Sequence, residues 1–259
     1  MPRTIFAMGG GGFTAEPRNP LLDDYVLSLS AEPRPRILFL PTAGGDPAVH
    51  LTAFMETFGD KSCEIEHLSL FRLGQNPRPV RERVLAADIL YVGGGSLLNL
   101  IAIWKAHGFD AILREAWEGG TALAGLSAGS MCWFEWGVTT STGEPAPAQG
   151  LGWLPGSNTV HYDGEPTRRP VYFDAVARGE IPGGYAVDDG AGLRFAGSEL
   201  VEVVASRPHA RAFRVEREGD EAVETPLAVR YLGEATNRER QVPADIAEWR
   251  ALRARRASG

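Results

Sequence analysis

The sequence of 259 residues is poor in cysteine, in basic charge and in long apolar runs. Its two cysteines, Cys63 and Cys132, cannot form a disulfide framework, which favours a reducing, cytoplasmic location. Lys and Arg number 26 against 33 Asp and Glu, and the formal net charge of −7 argues against a nucleic-acid binder. The apolar run before Gly9 is too short for a signal peptide, and no other stretch approaches the roughly 20 apolar residues of a membrane span.

Metal and nucleotide motifs are missing as well. No C-x-x-C or H-E-x-x-H spacing occurs, so no metal site is expected. The glycine run at 9–12 lacks both a G-x-G-x-x-G continuation and a Walker lysine, which favours a structural turn over a nucleotide site. The sequence therefore predicts a protein that needs no cofactor, no membrane and no nucleic acid.

Short apolar runs alternate with amphipathic segments through the first half of the chain. Strands are predicted at 4–8, 36–40, 64–70, 88–92 and 121–126, and helices at 19–29, 47–58, 79–86 and 96–117, the last with a break at His107-Gly108. Several runs are apolar throughout, as strands of a parallel sheet covered on both faces must be. The alternation predicts an α/β fold with a doubly wound, mostly parallel sheet.

The second half is predicted to add antiparallel strands to the edge of that sheet. These strands fall at 185–187, 192–195, 199–205, 212–216 and 227–231, and a helix at 243–256 ends the chain. Neither a repeat nor a low-complexity linker divides the sequence. Residues 1–259 are therefore predicted to form a single domain.

A G-x-S-x-G motif follows the apolar run at 121–126, and Ser127 is its central residue. A serine between a strand and a helical segment, here predicted at 131–136, is typical of a nucleophile elbow. The N–H of the next residue, Ala128, then faces the position of a tetrahedral oxyanion. The glycine turn 93–95 before a helix offers further free N–H groups of that kind.

A nucleophilic serine needs a histidine base and an acid that orients it. Among five histidines, His161 has the advantage because its segment, 155–163, is loop-like and polar, while His209 remains the competitor. Asp188 and Asp189 follow a predicted strand and are candidates for the acid, with Asp163 and Glu144 as rivals. With His209 as the base, the chain order would suit an α/β-hydrolase esterase or lipase.

Four segments together resemble a known family: YVGGGSLLNLI, GLSAGS, LPGSNTVHYD and VDDGAGL, in this order. They are similar to the S51 serine peptidases, which comprise dipeptidase E (alpha-aspartyl dipeptidase) and the cyanophycinases, over about residues 4–205. The resemblance implies a flavodoxin-like sheet similar to that of class I glutamine amidotransferases.

The resemblance also implies roles for individual residues. Ser127 matches the nucleophile and His161 the base, while Gly94, Gly95 and Ala128 match the oxyanion-hole region. Asp189 takes the position of the acid, with Asp188 as runner-up. The order Ser, His, acid argues against an α/β-hydrolase.

The resemblance implies a serine exopeptidase acting on dipeptides or short peptides, with a preference for N-terminal Asp. Arg168 and Arg169 lie in a basic segment that would recognise the Asp carboxylate, since Arg binds carboxylates in a bidentate fashion. The family often has Asn-Thr directly after its glycine turn, whereas this chain has Ser96-Leu97 there. Ser96 is therefore a further candidate for substrate binding. The alternatives are a cyanophycinase-type β-aspartyl isopeptidase and a noncatalytic protein that binds a small anion; a homodimer is compatible with each.

Overall fold

The computed structural model describes residues 3–233, and the C-terminal helix predicted at 243–256 lies outside these residues. Its strands are, in chain order, β1 (Thr4–Met8), β2 (Arg36–Leu40), β3 (Glu64–His67), β4 (Ile89–Val92), β5 (Ala122–Leu126), β6 (Phe134–Thr139), β7 (Ala146–Gln149), β8 (Leu154–Thr159), β9 (Gly184–Val187), β10 (Ala191–Ala196), β11 (Glu199–Ala205), β12 (Ala212–Glu218), β13 (Glu221–Pro226) and β14 (Arg230–Tyr231).

The helices of the same residues are α1 (Gly12–Ala15), α2 (Leu21–Leu27), α3 (Ala48–Gly59), α4 (Val80–Leu85), α5 (Leu97–Ala106), α6 (Phe109–Glu118), α7 (Ala128–Met131) and α8 (Arg168–Ala177). Within residues 3–233, none of them is long and apolar enough to cross a membrane. The predicted break at His107-Gly108 is confirmed, because α5 ends at Ala106 and Gly108, with φ 60°, is the N-cap of α6.

The first sheet has eight strands in the order β14-β11-β10-β1-β5-β4-β2-β3. Its five strands from the first half of the chain run parallel, and β10 joins β1 antiparallel. Alternate residues of β1 enter opposite cores: Ile5 packs in the cluster that contains α5 and α6, and Phe6 in the cluster that contains α2 and α3. Helices therefore cover both faces, and the predicted doubly wound parallel sheet is confirmed.

A second sheet of six strands departs from the prediction that all later strands extend the first sheet. Its order is β13-β12-β9-β8-β6-β7, with β8 parallel to both β6 and β9. The predicted strands at 185–187 and 212–216 belong to it as β9 and β12, whereas those at 192–195 and 199–205 join the first sheet as β10 and β11. The chain thus crosses between the sheets at Asp188-Asp189-Gly190.

Four further details of the second half were predicted wrongly. The helix after Ser127 ends at Met131, and most of the segment predicted as helical continues into β6. The strand predicted at 227–231 shortens to β14, while β13 was missed because its sequence EAVETP is polar and mostly solvent-facing. β8 was missed because LPGSNT contains Pro and Gly and lacks the alternation typical of strands.

A buried carboxyl on α2 makes the stability of the fold depend on pH. Asp23 is 1% exposed, and burial raises its pKa to about 7, against a hydrogen bond from the Phe13 backbone that lowers it. Between about pH 4 and 7 the folded chain thus holds a proton that the unfolded chain has released. Since the unfolded state binds fewer protons there, the stability of the fold falls as the pH rises through this window.

We expect Asp23→Asn to remove that loss, because an amide does not titrate. From pH 4 to pH 8 the wild type should lose about 2 to 4 kcal/mol of unfolding free energy relative to the variant. Urea unfolding at a series of pH values measures this difference. The control is Asp24→Asn, at the exposed neighbouring residue. The unfolding free energy of this variant should depend on pH in the same way as that of the wild type. If the unfolding free energies of Asp23→Asn and the wild type changed with pH in the same way, a buried, protonated Asp23 would be ruled out.

Candidate active site

Ser127 lies at the carboxyl end of β5, in the sharp turn that leads into α7. Its backbone has φ 56° and ψ −118°, a conformation that L residues rarely adopt, as expected for a nucleophile elbow. The flanking glycines are required by close packing. A Cβ on Gly125 would lie 2.1 Å from the carbonyl oxygen of Gly129, and one on Gly129 would lie 2.4 Å from the carbonyl oxygen of Val92. The motif is thus fixed by backbone contacts on both sides of the serine.

His161 follows β8 and reaches across to this serine. Its Nε2 lies 2.9 Å from the Ser127 Oγ, within hydrogen-bond distance. The residue has φ 53°, and its carbonyl oxygen accepts hydrogen bonds from the N–H groups of Gly164 and Glu165. The segment around it, predicted as a loop, is strand β8 followed by this tight turn. The competitor, His209, is exposed and has no hydrogen bond to Ser127.

Asp189 lies on the other side of the imidazole. Its Oδ1 is 2.6 Å from the His161 Nδ1, so that one nitrogen of the ring faces the carboxylate and the other faces the serine. The hydrogen bond from His161 holds the pKa of Asp189 below its usual range, opposed by partial burial and aided by the charges of Arg207 and Arg168. The carboxylate is therefore ionised at neutral pH and fixes a proton on Nδ1.

Asp188 points away from this pair. Its Oδ2 accepts a hydrogen bond from the Arg211 N–H at 2.9 Å, and its own N–H donates to the Arg211 carbonyl oxygen at 3.0 Å. Burial raises the pKa of Asp188 to about 6. The contacts are those of a residue that joins β9 to the loop before β12. The other two acids considered from the sequence are also away from Nδ1: Glu144 is exposed, and Asp163 contacts the backbone of Asp189.

The glycine run after β1 lies beneath the histidine and the acid, a position that sequence reasoning missed. A Cβ on Gly10 would lie 2.0 Å from the Asp189 Oδ1 and 2.7 Å from the His161 ring. A Cβ on Gly9 would lie 2.3 Å from the Asp188 carbonyl oxygen. The interpretation of this run as a structural turn was thus incomplete, because Gly10 forms the floor against which His161 and Asp189 pack.

We expect Gly10→Ala to lower kcat/KM by about 100-fold. The added methyl group must displace His161 or Asp189, and displacement of a catalytic side chain by about 1 Å has an effect of this size. Steady-state kinetics with matched thermal melts measure the effect. Gly59→Ala is the control, because a Cβ there meets nothing within 4 Å. Equal activity of both variants would show that the contact between Gly10 and Asp189 has no effect on the site.

The turn after β4 flanks Ser127 on the opposite side. A Cβ on Gly94 would lie 3.1 Å from the Ser127 Cβ, and Gly95 packs with φ 143° against the carbonyl oxygen of Ala43. Within residues 3–233, the N–H groups of Gly94, Gly95 and Ala128 donate no hydrogen bond to the protein. Free N–H groups beside a serine are the donors that an oxyanion hole requires.

The three residues considered for substrate binding have partners within the chain. The Ser96 Oγ accepts the Asn99 N–H and caps α5. Arg168 is buried at 3% side-chain exposure, and its guanidinium donates to Glu165 at 2.7 Å and to the Val160 carbonyl oxygen at 3.3 Å. Arg169 is half exposed and pairs with Glu224 at 3.2 Å. Its guanidinium lies 5.4 Å from the ring centroid of Tyr162, the residue after His161.

Comparison with known proteins shows the family of this chain. The family model described as Peptidase family S51 matches residues 5–203. The chain belongs to peptidase family S51. It is 46% identical over 231 residues to the uncharacterized peptidase YgaJ of Bacillus subtilis (strain 168), covering 89% of this chain and 100% of that protein. The match to the family spans all of the elements that carry Ser127, His161 and Asp189.

The fold of this S51 peptidase is shared with a solved structure. The crystal structure of a peptidase from an acI-B1 Actinobacterium superposes with a TM-score of 0.66 at 18% identity, covering 91% of this chain and 97% of that chain. At this level of identity the likeness concerns the fold, in which parallel strands form the core and antiparallel strands are added. The predicted family and fold class are thereby confirmed.

Proposed function

We propose that this S51 peptidase is a serine exopeptidase that hydrolyses dipeptides or short peptides through Ser127, His161 and Asp189. One observation carries the proposal: a continuous line of hydrogen bonds from the Ser127 Oγ through both nitrogens of His161 to the Asp189 Oδ1, at 2.9 and 2.6 Å. Geometry of this kind is how a Ser-His-Asp triad is recognised on unrelated folds.

In the proposed mechanism, His161 Nε2 takes the hydroxyl proton while the Ser127 Oγ attacks the scissile carbonyl carbon. The oxyanion that forms accepts hydrogen bonds from the N–H groups of Ala128 and the 94–95 turn. His161 then gives its proton to the leaving amine, and an acyl-enzyme remains on Ser127. A water molecule, deprotonated by the same nitrogen, releases the acid product and restores the serine.

Asp189 supports both proton transfers. Its ionised carboxylate accepts the Nδ1–H of His161, which leaves the lone pair of Nε2 directed at the serine. When the ring becomes positively charged, the same carboxylate stabilises it. Because the pKa of Asp189 lies below its usual range, this support persists below neutral pH.

For the substrate we propose an N-terminal Asp, in keeping with the resemblance to dipeptidase E. Arg169 is the better placed of the two arginines, since it is half exposed and stacks over Tyr162 next to His161. Arg168 is buried, and its charge is balanced by Glu165. An incoming carboxylate would therefore compete with Glu224 for the Arg169 guanidinium.

The proposed activity is tested by free-amine release from a panel of Asp-X, β-Asp-X and neutral X-X dipeptides, with Ser127→Ala as the blank. Cleavage of Asp-X alone, absent in the blank, is the expected result. Cleavage confined to β-Asp-Arg would identify a cyanophycinase-type isopeptidase instead. A folded wild type that cleaves nothing, yet binds small anions, would favour the noncatalytic alternative and contradict the proposal.

The Asp preference is tested separately with Arg169→Ala. We expect KM for Asp-X to rise roughly 10-fold or more, since a charged hydrogen bond is lost, while KM for neutral dipeptides stays within about 2-fold. Arg178→Ala, which removes an exposed arginine just after the same helix, is the matched control. Equal changes for Asp-X and neutral substrates would assign Arg169 to the fold and leave Asp recognition to other residues.

A further inference from the structure

Asp163 lies two residues after His161 and is exposed, yet it has a specific partner in the acid-bearing turn. Its Oδ1 accepts a hydrogen bond from the backbone N–H of Asp189 at 2.9 Å. The Asp189 N–H donates no other hydrogen bond within residues 3–233. A side chain from the turn of the histidine therefore holds the main chain of the residue that orients the histidine.

The two turns belong to neighbouring strands, and their contacts form a short ladder. The Tyr162 N–H donates to the Val187 carbonyl oxygen at 3.2 Å, the Asp189 N–H donates to Asp163, and the His161 Nδ1 meets the Asp189 Oδ1 at 2.6 Å. The first contact fixes the ends of the strands and the third carries the proposed chemistry. The Asp163 contact thus lies between the hydrogen bond that joins the two strands and the hydrogen bond between the histidine and the acid.

Backbone hydrogen bonds hold the residues on both sides of Asp189. Asp188 is held by two hydrogen bonds with Arg211, and its carbonyl oxygen accepts the Ala191 N–H at 3.2 Å. Gly190 follows with φ 80°, and its N–H donates to the Gly10 carbonyl oxygen at 3.1 Å. Gly10 limits the position of the Asp189 Oδ1, and Gly164 lies near the Oδ2. The Asp188–Asp189 peptide is therefore held at its carbonyl oxygen by the Ala191 N–H and at its N–H by Asp163, which is the contact that links it to the turn of His161.

We propose that Asp163 is a positioning residue that fixes the Asp189 carboxylate on the His161 Nδ1 by accepting the Asp189 backbone N–H. The inference rests on the proposed function, because it assigns Asp163 to the same triad. An ionised acceptor forms a stronger hydrogen bond to an amide N–H than a neutral one does. An amide side chain still offers the same oxygen, so Asn should preserve most of the effect and Ala should not.

The experiment compares Asp163→Asn, Asp163→Ala and Asp163→Leu with the wild type and with Asp174→Ala. Asp174 is an exposed carboxylate on α8 that pairs with Arg178, so its removal controls for charge and for exposed-residue effects. Two quantities are measured: kcat and KM with the best dipeptide of the panel, and the far-downfield proton signal of the His161 Nδ1–H in protein labelled with ¹⁵N-histidine. The second needs no substrate.

We expect kcat to fall roughly 10- to 100-fold in Asp163→Ala and Asp163→Leu with little change in KM, because the acid is misplaced while binding is not. The downfield signal should disappear or shift in both variants and persist in the wild type, in Asp163→Asn and in Asp174→Ala. A residue that only stabilised the loop would lower the melting temperature and leave the signal in place.

Two results would overturn the inference. One is an unchanged downfield signal and kcat in Asp163→Ala; the other is an Asn variant as impaired as Ala, which excludes the Oδ1 hydrogen bond as the cause. Failure of the proposed function is a different result: a wild type that cleaves no peptide. If the downfield signal is nevertheless lost in Asp163→Ala and kept in Asp163→Asn, the positioning role stands without the peptidase assignment.

Discussion

Replacing Ser127 with Ala is expected to lower kcat/KM for the best peptide by roughly 10⁴-fold or more. The variant lacks the Oγ that attacks the carbonyl carbon, and no other side-chain hydroxyl is hydrogen-bonded to His161 within residues 3–233. KM should change little, since the N–H groups of Ala128 and the 94–95 turn remain available to bind the substrate carbonyl oxygen. Initial rates with purified protein, measured down to the uncatalysed rate, determine the effect.

The control for Ser127→Ala is Ser130→Ala, three residues further along the chain in α7. Ser130 is buried and accepts a hydrogen bond from the Asn158 side chain, so its loss affects packing rather than the nucleophile. Melting temperatures of both variants report whether the elbow remains folded. If Ser127→Ala kept more than about a tenth of the wild-type kcat/KM while folded, Ser127 could not be the nucleophile.

Replacing Asp189 with Asn is the second change with a large expected effect, a fall in kcat of about 10⁴-fold. An amide in this position can donate a hydrogen bond to Nδ1, which moves the ring proton to Nε2 and leaves no lone pair to accept the serine proton. It also removes the negative charge that stabilises the imidazolium ion. Since the side-chain volume is unchanged, the loss would come from charge and tautomer rather than from packing.

Asp188→Asn is the matched control, because the same change is made one residue earlier. Its amide oxygen can still accept the Arg211 N–H, so we expect kcat to stay within about 3-fold of the wild type while the melting temperature shifts slightly. Measuring kcat for the pair therefore identifies the acid. A large loss in Asp188→Asn together with a small loss in Asp189→Asn would exchange the two roles.

The local signals around Ser127 were sufficient to predict the strand before it and the turn that carries it, although not the short length of the helix that follows. Gly125 and Gly129 flank it because its turn packs backbone against backbone, and the strand before it is apolar because helices cover both faces of the sheet. Such constraints act over a few residues, so they can be recognised as a motif in the sequence. The same holds for the five parallel strands and for the break at Gly108.

The long-range relations were harder to predict because their cause lies far along the chain. Gly10 is a glycine on account of Asp189 and His161, more than 150 residues away, and nothing beside Gly10 indicates this. The split of the later strands between two sheets depends on the crossing at Asp188–Gly190, which resembles any other turn in sequence. Asp163 was considered as a rival acid, and only its contact with the Asp189 backbone distinguishes a supporting position from a direct one.

Mass spectrometry of a trapped acyl-enzyme tests the central claim, that Ser127 is a nucleophile activated by His161, most directly. The wild type would be mixed with an aryl ester of the N-terminal residue of its best substrate, quenched in acid during turnover and mapped by peptide digestion. The account predicts an added acyl group on Ser127, and no such group in the His161→Ala variant. Ester hydrolysis at the wild-type rate in Ser127→Ala, or an acyl group on another residue, would contradict it.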